Sequence, residues 1–449
     1  MASGAQRVLW CLLLLALTLS LLVDASIARQ SLIVGSREGE WVYRYFQTFR
    51  WAAVWTALLA TALVVAVIAL ESSIRSTSTL LLLWFVVGLV VQALLRALTP
   101  YTLAEMFASS GANSFYDVTR HELPSRVLRD FHALRMSWPI HAQSNMPGKI
   151  MLVYAFEAVT DQLNVMAVLV LAVSNLGAFF MYWFTNDLMK DRRMALWAAA
   201  LYLVVPAKLF FFPLMNTVTP VIVLLCACLL QRWLTTGRAV YAALVGVALY
   251  GLVFWEPLPL VMGLLFAVLL GNALSVGTMP WRRGAGHVLL AVMTFAASYA
   301  VVRMLFGFDV MTALRDIGAH ASDFNRESGR PYGLWVRQNL LDFAIAVGIG
   351  QAVLAIVALA DGLVTGGEQG RSPIVLLTAS LIAILLVTDL LGVNRGEIVR
   401  LWIFLACFFQ IPAAYVCARL NSRLAIGLLV GVTLLHDALG TAMIGFIVP

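Results

Sequence analysis

The sequence predicts an all-α membrane protein: a polytopic bundle of about thirteen transmembrane helices, with amphipathic helices in a large first extracytoplasmic loop. Three observations predict it. Of the 449 residues, 62% are hydrophobic and 12% charged, and the mean hydropathy is +0.90; soluble domains of this size do not have that balance. The apolar runs are continuous over roughly 15–25 residues, long enough to cross a bilayer core, and they lack the alternation of a β-barrel strand. Alternate polar loops also differ in kind. One set is short, with one to three Lys or Arg each, while the other contains two long stretches, 98–150 and 306–337, that hold most of the charged and histidine side chains. The net charge of +7 is therefore a positive-inside signal and does not point to nucleic acid.

The elements follow in order. Residues 1–7 form a basic n-region, and the apolar stretch behind it runs to about Val23. Val23-Asp24-Ala25 loosely matches a cleavage site, but the run is near the long limit for a signal peptide, so an uncleaved anchor is expected. Later spans are expected at 51–70, 79–97, 162–184, 194–206, 214–230, 239–254, 258–274, 287–305, 338–360, 373–392, 400–417 and 424–446, within one membrane domain covering 1–449. The inside loops carry Arg75; Lys190, Arg192 and Arg193; Arg232 and Arg238; Arg282 and Arg283; Arg371; and Arg419 and Arg423. The outer segment 26–50 breaks this pattern with four Arg. Its Glu38, Glu40, Trp41, Tyr43, Tyr45 and Phe46 suggest an amphipathic helix on the outer surface. Turns at 206–213 and 255–259 are rich in proline, and short broken spans of this sort dip toward cavities. Cys11, Cys226, Cys228, Cys407 and Cys417 all lie in apolar runs, with no His or carboxylate near the Cys226–Cys228 pair, and read as small apolar residues.

Candidate chemistry gathers in the outer loops. Residues 114–135 have helical character, with Asn113 or Ser114 as a cap, and Asp117 and His121 at i,i+4 share a face. A carboxylate close to a membrane can act as general base toward a hydroxyl nucleophile; the alternative is a solvated amphipathic helix. The loop continues through His141 and Asn145 to Pro147-Gly148-Lys149, which opens an interfacial helix over 150–158. Lys149 fits contact with a lipid phosphate and snorkelling equally well. The second long loop holds His320, Arg330 and Tyr332. At 394–400, Arg395 and Arg400 flank Glu397. Guanidinium forks bind phosphate oxygens bidentately, so this pair suits a phosphate or pyrophosphate; a structural Arg–Glu pair is the alternative. Asp389, His436 and Asp437 lie inside spans, where ionisable residues usually face a cavity or a partner.

Taken together, these segments resemble the GT-C superfamily of integral membrane glycosyltransferases, in its bacterial, polyprenyl-phosphate-sugar-dependent form. Four parts carry the resemblance: Ser114-Phe115-Tyr116-Asp117; Asn145-Met146-Pro147-Gly148-Lys149; His320, Phe324-Asn325, Gly329-Arg330-Pro331-Tyr332, Trp335 and Asn339-Leu340-Leu341-Asp342-Phe343; and Arg395-Gly396-Glu397-Ile398-Val399-Arg400-Leu401-Trp402. Asn145 stands where many relatives have His, with His141 nearby. The first loop lacks an adjacent acidic pair or an Asp-x-Asp, so a metal-assisted variant is not supported. Three spans precede Asp117, more than in the simplest members, which reads as an added hairpin over 51–97.

The resemblance implies transfer, with inversion, from a polyprenyl-phosphate sugar to a glycan, lipid or protein acceptor on the extracytoplasmic side of the inner or plasma membrane, without cofactor or metal. Asp117 would take the acceptor proton. Arg395 and Arg400, with Lys149, would neutralise the phosphate. His121, His141, Asn145, Lys149, His320, Arg330, Tyr332 and Glu397 would contact substrate. Competing classes are a lipid-linked polysaccharide polymerase or ligase, a transporter, and an inactive scaffold. A transporter would show an internal repeat and ionisable residues near the midplane of several spans, and no repeat is present in the sequence.

Overall fold

A computed structural model describes residues 4–365 and 372–449; the expected basic-loop residue Arg371 lies outside the described residues. Nearly every element is a helix. Among the described residues, ten helices are long and apolar enough to cross a membrane, or eleven if the bent pair Tyr332–Val347 and Ile349–Thr365 is one span. By length and composition these are the helices of a multi-pass membrane protein. The expected count of thirteen is reduced because the segments at 239–254 and 400–417 fall on shorter apolar helices. The chain divides into two compact units. The first comprises Met1–Pro100, Asn175–Phe212 and Arg330–Phe446; the second comprises Tyr101–Ser174, Pro213–Gly329 and Ile447–Pro449.

In the first unit, Arg423–Met443 packs against Trp51–Leu70 and Gly4–Ala28. Small residues allow the close approach that holds helices together in lipid. Ala53, Ala57 and Ala60 are buried, and a Cβ at Gly431 would meet the Thr61 methyl at 3.2 Å. The helix Arg192–Leu203 is buried on almost every side, between Gly177–Met189 and Gln410–Arg419.

Two sequence expectations are corrected in this unit. The segment 26–50 is not an amphipathic helix. Val34–Ser36 and Trp41–Tyr43 pair as an antiparallel hairpin, with Val34 opposite Tyr43 and Ser36 opposite Trp41. The expected span 338–360 is bent by 98° at Gly348, whose φ of +96° favours glycine and where a Cβ would collide with the Gln351 side chain. The turn at 206–213 is helical over Pro206–Phe210 and buried, with Lys208 donating to Asn175 Oδ1 at 2.6 Å and lying 4.3 Å from the Tyr202 ring centroid.

In the second unit, Ala239–Trp255 packs on Trp281–Phe306. Gly246 permits it, since any Cβ there would overlap the Ala291 carbonyl. The expected helix over 114–135 is broken into Phe115–Thr119, Pro124–Arg129 and Phe131–Leu134. Pro124 can open a helix but cannot continue one, because it has no N–H to donate. The expected cap is also corrected. Ser114 makes no capping bond and sits at φ +59°, and Asn113 donates instead to the Phe107 carbonyl at 2.8 Å. Residues 310–327 form one helix capped by Asp309, which accepts from the Met311 and Thr312 N–H groups. The two long loops pack together. Phe131 meets Phe308 edge to face with centroids 5.2 Å apart, and His132 Nδ1 lies 3.3 Å from Asp316 Oδ2.

Candidate functional site

In the second unit, the site starts from the close approach of two backbones. A Cβ at Gly148 would lie 2.7 Å from the Phe254 carbonyl oxygen and 2.8 Å from Trp255 Cα, so only glycine lets the Pro147-Gly148-Lys149 turn seat there. The contact brings Lys149 beside Glu256. Lys149 is fully buried; its ammonium is 2.9 Å from Glu256 Oε2 and donates to Asn145 Oδ1 at 2.7 Å. Glu256 also accepts from Thr219 Oγ1 at 2.7 Å, and Thr219 Oγ1 accepts from Trp255 Nε1 at 2.9 Å. Lys149 therefore does not snorkel. It is one end of a buried ion pair whose carboxylate the sequence reading passed over. The signal was available: Glu256 is the lone acid in the apolar stretch 239–274.

Asp117 lies on Phe115–Thr119, a helix held down by Phe115, which is buried with its ring 5.7 Å from the Lys149 ammonium. Thr119 Oγ1 donates to Glu157 Oε1, and Tyr154 donates its hydroxyl to the Glu122 carbonyl, both at 2.5 Å. Burial, with Glu157 and Glu122 close by, pushes the Tyr154 phenol well up, so it stays a donor. Asp117 and His121 share a face as the spacing predicts, with 3.9 Å between carboxylate and imidazole and side-chain exposures of 35% and 72%. His141 is half-buried, and its carbonyl accepts from Asn145 Nδ2 at 2.8 Å. Asn145 thus ties the short helix Ile140–Gln143 to Lys149. His320 is half-buried on Val310–Glu327.

In the first unit, the residues from 330 onward and the segment 394–400 assemble into one cationic cluster. Glu397 receives two guanidinium groups: Arg330 Nη2 at 3.4 Å on Oε1, and Arg400 Nη2 on Oε2. The three side chains are 6%, 11% and 14% exposed for Arg330, Arg400 and Glu397. Arg330 and Arg395 are cross-linked, each donating to the other's backbone carbonyl, at 2.7 and 2.9 Å. Arg395 also lies over the Tyr332 ring at 5.5 Å. Two guanidinium groups share the Glu397 carboxylate and the third, on Arg395, is bonded to backbone carbonyls, so the three arginines and Glu397 carry a formal excess of two positive charges.

The backbone here is strained to hold that geometry. Gly396 and Glu397 are consecutive left-handed residues, at φ +86° and +59°. The first needs glycine because Trp335 lies 3.0 Å from where its Cβ would be. For Glu397 the conformation costs on the order of 1 kcal/mol or more, and strain of this kind concentrates at functional sites. Asn339 braces the segment, donating to Asp389 Oδ1 and to the Asn394 carbonyl at 3.0 Å each.

The hairpin completes this site. Trp335 donates Nε1 to the Gly39 carbonyl at 3.2 Å, and Asp342 accepts from the Gly35 N–H at 3.0 Å. Trp41 then stacks under Arg330, 5.2 Å from its guanidinium. Burial, reinforced by the nearby Glu397, raises the Tyr43 phenol far above its ordinary range and keeps it neutral. A cavity of about 840 Å³ opens along the hairpin, lined among others by Arg37, Glu40, Trp41, Arg44 and Tyr45. Aromatic faces among charged and amide groups suit a polar ring with an apolar face, such as a sugar. None of these hairpin residues was singled out by the sequence as part of a site.

Neither a protein-family model nor a curated protein matches the chain.

Proposed function

We propose that the chain is a membrane glycosyltransferase that moves a sugar from a polyprenyl-phosphate-linked donor to an acceptor hydroxyl. The observation that carries this reading is the cluster in which Arg330 and Arg400 hold the Glu397 carboxylate and Arg395 is tied to the Arg330 backbone. A structural ion pair needs one guanidinium per carboxylate. Here two meet one carboxylate and a third lies beside them, which suits a phosphate, and buried guanidinium groups bind it more strongly than exposed ones. The aromatic cavity beside Trp41 supports a sugar next to that phosphate.

On this reading the acceptor oxygen attacks the anomeric carbon, and the bond from that carbon to the phosphate oxygen breaks. The electron pair leaves on polyprenyl phosphate, where the arginines stabilise the developing charge. The resemblance assigns the proton to Asp117, a part-exposed carboxylate of the second unit with His121 beside it. A single in-line displacement inverts the anomeric centre.

The test is release of polyprenyl phosphate by purified protein in nanodiscs. The donors are polyprenyl-phosphate hexoses and pentoses, and the acceptors are short glycosides. Release from one of these donors that requires both acceptor and Asp117 is expected. No release from any donor, together with no donor binding, overturns the reading.

A further inference from the structure

A second charged pocket lies in the first unit, and the proposed transfer reaction makes no use of it. Three of the short basic loops named from the sequence, those holding Arg75, Lys190 to Arg193, and Arg423, meet around a cavity of about 460 Å³. Five cations line it, Arg75, Lys190, Arg192, Arg193 and Arg423, with two carboxylates, Glu71 and Asp191.

Both carboxylates are bound to neutral groups. Glu71 accepts from Trp197 Nε1 at 3.0 Å, and Asp191 caps a helix by accepting from the Met194 N–H at 3.0 Å. The cations that are bonded also have neutral partners. Arg192 Nε donates to Thr77 Oγ1 at 3.0 Å, while Arg193 binds the Asn421 side-chain carbonyl and stacks over Trp197. Among the described residues no ion pair joins any of the five to a carboxylate. Five cations less two carboxylates leaves three positive charges in the pocket.

The helices add to this potential. Arg192 and Arg193 are the first residues of Arg192–Leu203, and Arg423 is the first of Arg423–Met443. Helix N-termini carry the positive end of the macrodipole, where side-chain cations are unfavourable and an anion is favoured. Lys190 stands at φ +57°, a position where glycine is the default. A preference for basic loops on one side of a membrane requires charge there, but it does not require three loops to share a cavity or cations to sit on helix N-termini.

Apolar surface adjoins the charge. Leu70 precedes Glu71 and is 46% exposed, and Leu424 follows Arg423 and is 63% exposed. A ligand that joins a phosphate to acyl chains satisfies both surfaces. We propose that this pocket binds the phosphate headgroup of an anionic phospholipid, on the face that the basic series assigns to the cytoplasm.

The experiment is native mass spectrometry of the purified full-length chain with phosphatidylglycerol, phosphatidylcholine or inorganic phosphate. The wild type is compared with Arg75→Ala/Lys190→Gly/Arg423→Ala and with Lys190→Gly alone, which removes one charge and relaxes the backbone. Phosphatidylglycerol is expected to bind the wild type and resist delipidation, with phosphatidylcholine much weaker. The triple variant should lose about 100-fold and Lys190→Gly about fivefold, since each basic residue near an anionic surface contributes about that factor. Equal phosphatidylglycerol binding by wild type and by Lys190→Gly and the triple variant overturns the site. Competition by inorganic phosphate as strong, mole for mole, as by phosphatidylglycerol overturns the lipid and leaves a free-phosphate pocket.

Discussion

Lys149 and Glu256, 107 positions apart in the chain, form a buried ion pair at 2.9 Å. Removing one partner leaves a charge in an apolar setting, which typically costs about 3–5 kcal/mol. Lys149→Met is therefore expected to unfold the second unit at a markedly lower temperature. The double variant Lys149→Met/Glu256→Gln should recover most of that loss, because no lone charge remains. Thermal unfolding in detergent, followed by tryptophan fluorescence, checks this. A double variant no more stable than Lys149→Met would mean the pair does not govern stability.

Asp117→Asn keeps the size of the side chain and removes its basicity. Loss of a general base costs roughly 100- to 10,000-fold in rate. Transfer from a polyprenyl-phosphate sugar should fall by that factor while donor binding and thermal stability hold. Near wild-type transfer by the variant would return Asp117 to the role of a surface charge, with Glu122 or Asp130 as the next candidates.

The arginine cluster makes a graded prediction. Arg330→Ala, Arg395→Ala and Arg400→Ala should each weaken donor binding by about 10- to 150-fold, equivalent to roughly 1.5–3 kcal/mol for a charge-assisted contact. Arg400→Lys should not rescue binding, since an ammonium cannot reproduce the guanidinium fork. Arg330→Ala also loses the contact over Trp41, so it should disturb the hairpin and show faster proteolysis between residues 34 and 43. Unchanged donor affinity across the series would make the cluster a structural brace around Glu397.

The contact between His132 and Asp316 joins the two long loops within the second unit. Single cysteines at Ser125 and Ser328, in a background without the five native cysteines, should both react with a membrane-impermeant thiol reagent in intact cells. Cys11 must be removed because it is exposed. Labelling at one position only would contradict a shared extracytoplasmic face.

The sequence was most legible where a feature is local. Asp117 and His121 share a face because four residues make about one helical turn. The expected spans fall on helices, broken ones at 338–360 and 400–417, because a long apolar run has few other ways to satisfy its backbone. Pairings across the chain were not legible. Nothing near Arg330 announces that it reaches Glu397, and nothing near Lys149 announces Glu256. The hairpin has a signal in the sequence. Trp41-Val42-Tyr43-Arg44-Tyr45 alternates with a period of two, which favours a strand. Reading the segment by its composition as amphipathic hid that period. The bend at Gly348 was missed because hydropathy is insensitive to a single left-handed residue in an apolar run.

The excess charge around Glu397 bears on turnover as well as on binding. On the proposed reading, the donor is a phosphodiester with one negative charge, and the departing polyprenyl phosphate is a monoester with roughly 1.5 to 2 at neutral pH. Arginines that hold the donor through its phosphate therefore grip the phosphate of the product harder. Product escape, not bond breaking, then sets the steady rate. A burst of sugar transfer equal to one per protein should precede a slower phase, and added polyprenyl phosphate should inhibit more strongly in alkaline than in mildly acidic buffer.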